Sequence, residues 1–118
     1  NLDEAAALAK RQVREPEEMR DAARAIHERF GCAVLVKGGH MKTTEAIDLF
    51  YDGREEFLLS APRAKGVSPP GTGCTYSAAI TAFLARSERL PGAVELAKQH
   101  MVEAFSGVFR VGRHYFLG

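Results

Sequence analysis

The sequence predicts an α/β domain in which a sheet lies between helices on both faces, a three-layer arrangement. Two observations lead to this prediction. A helix with apolar residues at three- and four-residue spacing ends at Gly31, and the apolar run 32–37 follows it directly. A glycine-rich turn over residues 71–75 then leads into another apolar helix. A buried strand set between helices is typical of α/β proteins.

The first half of the chain predicts two helices, a strand and a hairpin. Residues 3–10 have helical spacing, and Pro16 with the acids after it begins a second helix, whose apolar positions run from Met19 to Phe30. Residues 33–37 suit a central strand of a parallel sheet, buried on both faces. Two strands, 45–51 and 55–60, flank Asp52-Gly53, a dipeptide that favours an antiparallel hairpin.

The second half predicts a loop, two helices and an irregular tail. The loop covers residues 62–70 and contains prolines and basic residues. Helices are expected over residues 72–86 and 91–105, where apolar side chains recur at helical spacing. Residues 107–118 show neither the helical nor the strand spacing of apolar residues, and we expect them to be irregular.

Composition limits the class of protein. The chain has 118 residues, 46% of them hydrophobic and 26% charged, which fits one compact domain. Its net charge of +1, with acids and bases interspersed, argues against nucleic-acid and membrane-surface partners. Apolar runs are far shorter than the ~20 residues of a membrane span. We expect a cytoplasmic protein with two reduced cysteines, of which Cys32 serves packing, and the start at Asn1 suggests a piece of a longer protein.

The glycine-rich turn carries the chemistry. Glycines at 71 and 73 allow several backbone N–H groups to point at one place, and the start of a helix adds positive potential there. Phosphate binding is one interpretation, and an ordinary loop closure is the other. Cys74 lies in the same turn, where a thiolate is favoured, so it is either a reactive thiol or a small apolar side chain. The spacing matches neither the P-loop nor the dinucleotide-binding glycine pattern.

Three motifs in order resemble the C-terminal half of the hydroxymethylpyrimidine/phosphomethylpyrimidine kinases, members of the ribokinase-like superfamily. They are N-L-D-E at residues 1–4, V-L-V-K-G-G-H at 34–40 and G-T-G-C-T-Y-S-A-A-I at 71–80. The resemblance extends to about Phe105. It implies that residues 1–118 form the C-terminal, ATP-binding half of a ribokinase-like kinase domain, with the N-terminal half absent. Related sugar and pyridoxal kinases have an aspartate where Cys74 stands.

The resemblance implies ATP-dependent phosphorylation of a hydroxymethyl pyrimidine or its monophosphate in thiamine biosynthesis. ATP and Mg²⁺ are the implied cofactors, and a homodimer is expected for the intact protein, the fragment alone being inactive. Site residues follow the matched motifs. Cys74 would be the proton acceptor within an anion hole. The other residues of the anion hole would be Gly71, Thr72 and Gly73. The residues that bind the nucleotide would be Lys37, Gly39, Arg63, Lys65 and Val67. Asn1 and Glu4 would lie near magnesium.

Several alternatives stay open. Glu4 could be only a first-turn helix acid, and Lys37 a surface lysine at a strand end. The acceptor could be pyridoxal instead of a pyrimidine, or the chain could be a non-catalytic nucleotide- or phosphate-binding module. Family members carry a threonine and a histidine just before the glycine turn, where this chain has Ser68-Pro69-Pro70. Cation or phosphate contacts of that segment are therefore not transferred to this chain.

Overall fold

The computed structural model describes residues 1–39, 43–63 and 69–118. The chain forms two compact units, Asn1–Arg63 and Ala64–Gly118. The first unit contains α1 (Leu2–Ala9), α2 (Pro16–Phe30), β1 (Val34–Lys37), β2 (Glu45–Tyr51) and β3 (Glu56–Pro62), and the second contains α3 (Thr72–Ala85), α4 (Leu90–Ser106), β4 (Phe109–Val111) and β5 (His114–Phe116). The predicted α/β class is confirmed.

The ends of α2 follow from local chemistry. Pro16 occupies the first turn, where its missing N–H costs nothing, and the Glu18 carboxylate accepts from the N–H of Glu15 at 3.1 Å. Gly31 ends the helix with φ 68°, a left-handed conformation that glycine adopts without strain. The helix predicted from Pro16 to the glycine is confirmed.

The core of the first unit lies between α1, α2 and one face of the sheet. Met19 and Ala22 of α2 are fully buried, and they pack in one cluster with Val36 and Leu49 of the sheet. Phe30 departs from the predicted apolar stripe of α2, since it is 50% exposed and has the Arg29 guanidinium over its ring at 5.0 Å. It belongs to the last turn of the helix, at the margin of the core.

The sheet of the first unit corrects the prediction for its first strand. Its order is β1-β2-β3, and both pairings are antiparallel. Residues 38–44 join β1 to β2, and so short a link permits an antiparallel pair but no parallel crossover. Among the described strands β2 is therefore central and β1 lies at the edge. Burial along β1 alternates, with Val34 and Val36 buried and Leu35 and Lys37 half-buried, so burial on both faces was also wrong.

The predicted hairpin between β2 and β3 is confirmed. Tyr51 pairs with Glu56 across a loop in which the Asp52 carboxylate accepts from the N–H groups of Arg54 and Glu55 at 2.8 and 2.7 Å. These bonds, that of Glu55 first, hold the pKa of Asp52 below its ordinary value because they favour the charged carboxylate. Gly53 follows with φ 89°.

Gly53→Ala is expected to destabilise the protein more than Gly31→Ala. Both glycines have positive φ, which costs an alanine about 1–2 kcal/mol. A Cβ at Gly31 meets nothing within 4 Å, whereas one at Gly53 would lie 2.5 Å from Nε2 of His27. The His27 ring cannot move away without losing its contacts, because Nδ1 donates to the Cys32 carbonyl at 2.7 Å and the ring packs edge-on against Tyr51.

Denaturant unfolding of the two variants measures this difference. We expect Gly53→Ala to cost at least about 1 kcal/mol more than Gly31→Ala, in line with the cost of forcing an extra carbon into a packed site. Equal free energies of unfolding for the two variants would show that His27 is not held in place.

The second unit contains the glycine-rich turn and the C-terminal tail. Helices α3 and α4 pack against each other, and their bounds agree closely with the predicted helices. The tail is not irregular as expected, because β4 and β5 form an antiparallel hairpin in which Val111 pairs with His114. Gly112 supplies the positive φ, 61°, that such a two-residue loop requires. No helix in the described part of the chain is long and apolar enough to cross a membrane.

Candidate active site

The glycine turn of the second unit places three backbone N–H groups at the start of α3. Gly71 precedes the helix with φ 83° and ψ 4°, and its carbonyl accepts from the N–H of Thr75 at 2.9 Å. The N–H groups of Thr72, Gly73 and Cys74 precede that of Thr75, the first N–H with an acceptor in the helix, so they have no partner within the helix. No side chain of the described residues caps this end. The turn therefore offers backbone donors and the positive end of a helix to an anion.

Cys74 lies within this first turn and is exposed. The thiol is therefore accessible at the same helix end as the three backbone donors. Cys32 is also exposed, and neither cysteine is in a disulfide. The expectation that Cys32 packs in the core is wrong, because it precedes β1 in a bend where its carbonyl meets His27 and its side chain lies outside the sheet.

The end of β1 forms a second group of predicted site residues, in the first unit. The N–H of Gly38 donates to the Ile47 carbonyl at 2.9 Å and also lies 3.1 Å from Oδ1 of Asp48. The carbonyl of Gly39 accepts from Nη1 of Arg63, whose Nε donates to the Thr43 carbonyl at 2.7 Å. Gly39 and Arg63, both predicted nucleotide residues, are thus in direct contact.

Asn1 and Glu4 lie together at the start of α1. The Asn1 side chain accepts from the N–H of Glu4 at 3.0 Å, and the Asn1 amino group lies 2.6 Å from Oε2 of Glu4, which completes a capping box. The hydrogen bond from the Asn1 nitrogen lowers the pKa of Glu4, and the Lys37 ammonium contributes in the same direction. Glu4, one of the two predicted magnesium residues, and Lys37 are therefore electrostatic neighbours.

The capping box gives Asn1 and Glu4 a structural role, as the open alternative for Glu4 allowed. The Glu4 side chain is nevertheless 68% exposed, which leaves its carboxylate accessible to a ligand. A shallow cavity of about 110 Å³ lies beside the pair, and its other lining residues come from α1, α2 and β1. Among the described residues, no group of three His, Cys, Asp or Glu side chains could by itself hold a metal ion.

Two predicted nucleotide residues, Lys65 and Val67, lie outside the described residues, as does His40 of the V-K-G-G-H motif. The sequence analysis assigned no role to Asp48. In the structure it lies in β2 opposite the last residue of β1, with 4% of its surface exposed. The available signal was a lone acid within the apolar run Ile47-Asp48-Leu49.

Comparison with known sequences identifies relatives over the whole chain. The family model described as "Phosphomethylpyrimidine kinase" matches residues 1–117. A hydroxymethylpyrimidine/phosphomethylpyrimidine kinase of Aquifex aeolicus is 36% identical over 98% of this chain and 45% of its own length. One from Rhizobium meliloti is 46% identical over 94% of this chain and 42% of its own length. The chain thus spans less than half the length of these curated relatives.

Solved structures agree with the sequence comparison. The pyridoxal kinase of Staphylococcus aureus in complex with AMP-PCP superposes with a TM-score of 0.92 at 29% identity, over 99% of this chain and 44% of that one. An ADP complex of Bacillus subtilis pyridoxal kinase gives a TM-score of 0.90 at 30% identity, over 99% of this chain and 45% of that one. The predicted ribokinase-like α/β class is confirmed by these likenesses.

Proposed function

Because the chain belongs to the phosphomethylpyrimidine kinase family, we propose that the protein it represents phosphorylates hydroxymethylpyrimidine or its monophosphate with ATP, in thiamine biosynthesis. One observation carries the proposal. Gly71 in a left-handed conformation opens α3, and an exposed Cys74 lies in the first turn beside unpartnered helical N–H groups. Phosphoryl transfer needs charge stabilisation and a proton acceptor, and this helix end supplies both.

The proposed reaction is an in-line displacement at the γ-phosphorus of ATP. The substrate hydroxyl oxygen forms a bond to that phosphorus, and the bond between the γ-phosphorus and the oxygen bridging to the β-phosphorus breaks. ADP leaves with that bond's electron pair, and the hydroxyl proton passes to the Cys74 thiolate. The products are a phosphate ester, or a diphosphate when the acceptor is the monophosphate, together with ADP.

The backbone of the glycine turn stabilises the transferred group in this proposal. The N–H groups of Thr72, Gly73 and Cys74 point from the helix end, so they donate to phosphoryl oxygens as charge develops there. Preformed donors need no reorganisation during the reaction, and this makes them effective. Gly71 acts through its conformation, since it sets the direction in which the helix begins.

The end of β1 is proposed to bind the nucleotide. Lys37 supplies a cation for the phosphates, and Gly39, joined to Arg63, shapes the adjoining backbone. Lys65 and Val67 are proposed to lie near the adenine on the basis of the family resemblance. Asn1 and Glu4 fit a Mg²⁺ ion that keeps most of its ligands as water and phosphate, because they offer only a carboxylate and an amide oxygen. When bound, Mg²⁺ neutralises charge on the phosphates.

Pyridoxal phosphorylation is the second candidate. The solved pyridoxal kinases of two bacteria share this fold over nearly the whole chain. The residues discussed above serve the nucleotide and the transferred group, so they do not discriminate between pyridoxal and a pyrimidine as acceptor. The pyrimidine is preferred because the family model and the curated relatives carry that activity in their names.

An acceptor screen with the full-length gene product tests the proposal. ATP is supplied with hydroxymethylpyrimidine, its monophosphate or pyridoxal, and products are identified by mass spectrometry while ADP release is timed. We expect the highest kcat/KM with a pyrimidine acceptor. Phosphorylation of pyridoxal alone would establish the second candidate, and a failure to consume ATP with any acceptor would contradict the kinase proposal.

Three further expectations from the sequence remain proposals. We propose a cytoplasmic location and a homodimer in the intact protein. We also propose that it has no nucleic-acid partner, and the balanced charge of the chain supports this last proposal.

A further inference from the structure

Asp48 is a carboxylate that the proposed chemistry does not use. It lies in β2, directly opposite Lys37 of β1, and only 4% of its surface is exposed. Its neighbours Leu49 and Phe50 are buried apolar residues. A buried carboxylate is costly unless polar groups face it, so its place in an apolar strand calls for an interaction that offsets this cost.

The structure shows one such interaction at the end of β1. Oδ1 of Asp48 lies 3.1 Å from the N–H of Gly38, the residue between Lys37 and Gly39. That N–H also donates to the Ile47 carbonyl at 2.9 Å, which extends the β1–β2 ladder by one bond. The carboxylate thus fixes the backbone where the strand ends and the proposed nucleotide residues begin.

A second side chain also holds this segment. Arg63, which follows β3, donates to the carbonyls of Gly39 and Thr43. Gly38 and Gly39 are consecutive, so a side chain from β2 and another from just after β3 secure the peptide groups on the two sides of the bond that joins these glycines. A segment of two glycines has high backbone freedom, and two side-chain anchors restrict it.

We propose that Asp48 is a positioning residue for ATP, which keeps Lys37 and Gly39 in the geometry that binds the nucleotide. The inference rests on the proposed function, since it requires the β1 end to be the nucleotide site. Asp48 touches neither ATP nor the acceptor in this proposal. It acts through the backbone of Gly38.

Two substitutions at Asp48 in the full-length gene product test this role. Asp48→Ala removes the acceptor, and we expect the KM for ATP to rise about tenfold, the equivalent of one hydrogen bond to a charged group. The kcat at saturating ATP should change less than threefold. Asp48→Asn retains an oxygen acceptor for the Gly38 N–H, so its KM for ATP should be closer to that of the wild type than to that of the alanine variant.

Asp52→Ala is the matched control. Asp52 also accepts hydrogen bonds from backbone N–H groups, those of Arg54 and Glu55. It lies just after Tyr51, at the end of β2 that is farther from Gly38. We expect this variant to lower the melting temperature without changing the KM for ATP. An equal rise in KM for Asp52→Ala and Asp48→Ala would show that general destabilisation is responsible and would overturn the inference.

The outcomes also separate this inference from the proposed function. If the wild-type protein phosphorylates a pyrimidine and Asp48→Ala leaves the KM for ATP unchanged, the positioning role is wrong while the kinase activity stands. Binding of ATP, measured by calorimetry, does not depend on the acceptor. A tenfold weaker ATP affinity in Asp48→Ala therefore supports the positioning role even if the acceptor differs from the one proposed.

Discussion

Cys74→Ala is expected to lower the kcat of the full-length gene product by about 10²–10⁴-fold, the usual effect of losing a positioned proton acceptor. The thiol is exposed in the first turn of α3, where the proposed reaction places the substrate hydroxyl. ATP affinity should change little, because alanine leaves the backbone N–H groups of the turn in place. Pre-steady-state measurement of phosphoryl transfer, with ATP binding measured separately, tests both expectations.

Cys32→Ala is the control for this variant. Cys32 is likewise an exposed thiol outside any disulfide, but it lies before β1 and away from the glycine turn in sequence. Its replacement should leave kcat unchanged. Cys74→Asp should retain more activity than Cys74→Ala, because a carboxylate can also accept the proton. Transfer at the wild-type rate in Cys74→Ala would show that the thiol is not the proton acceptor, and a purely nucleotide-binding role would then be favoured.

Gly71→Ala is expected to lower kcat by about 10²-fold, comparable to the loss of one oxyanion donor. The φ of 83° at Gly71 is left-handed, a conformation that costs an alanine about 1–2 kcal/mol. A Cβ there meets nothing within 4 Å, so strain and not a clash drives the change. Relaxation of the turn would redirect the N–H groups of Thr72 and Gly73 away from the phosphoryl group.

Gly112→Ala separates this effect from a loss of stability. Gly112 also has positive φ, 61°, and open space around its Cα, but it lies in the hairpin loop between β4 and β5. Both variants should lower the melting temperature by similar amounts, and only Gly71→Ala should lower kcat. If the two variants have the same kcat, the conformation of Gly71 does not serve catalysis.

Much of the fold was predictable because its signals are local. Pro16 and Gly31 bound α2 as expected, since proline fixes φ at a helix start and glycine accepts a left-handed residue at its end. Asp52-Gly53 predicted the hairpin for the same kind of reason. The glycine turn before α3 also depends on backbone angles within a few residues.

The site was predictable in part. The family resemblance indicated Cys74 and the glycine turn, and the structure places that thiol, exposed, at a helix start. It could not indicate Asp48, because the contact with Gly38 joins residues ten apart along the chain and depends on the β1–β2 register. The contact between Arg63 and Gly39 joins residues that are even farther apart along the chain, and no local sequence pattern indicates it.

The sequence by itself determined where helices and turns begin and end and which family the motifs resemble, because proline, glycine and short polar motifs act on adjacent backbone. Tertiary structure alone decided which strand pairs with β1, which side chains are buried and which groups meet. It made β1 an edge strand of the described sheet, exposed Cys32, and paired β4 with β5. These outcomes depend on hydrogen bonds and packing between residues distant in sequence, and a strand's own residues do not specify its partner.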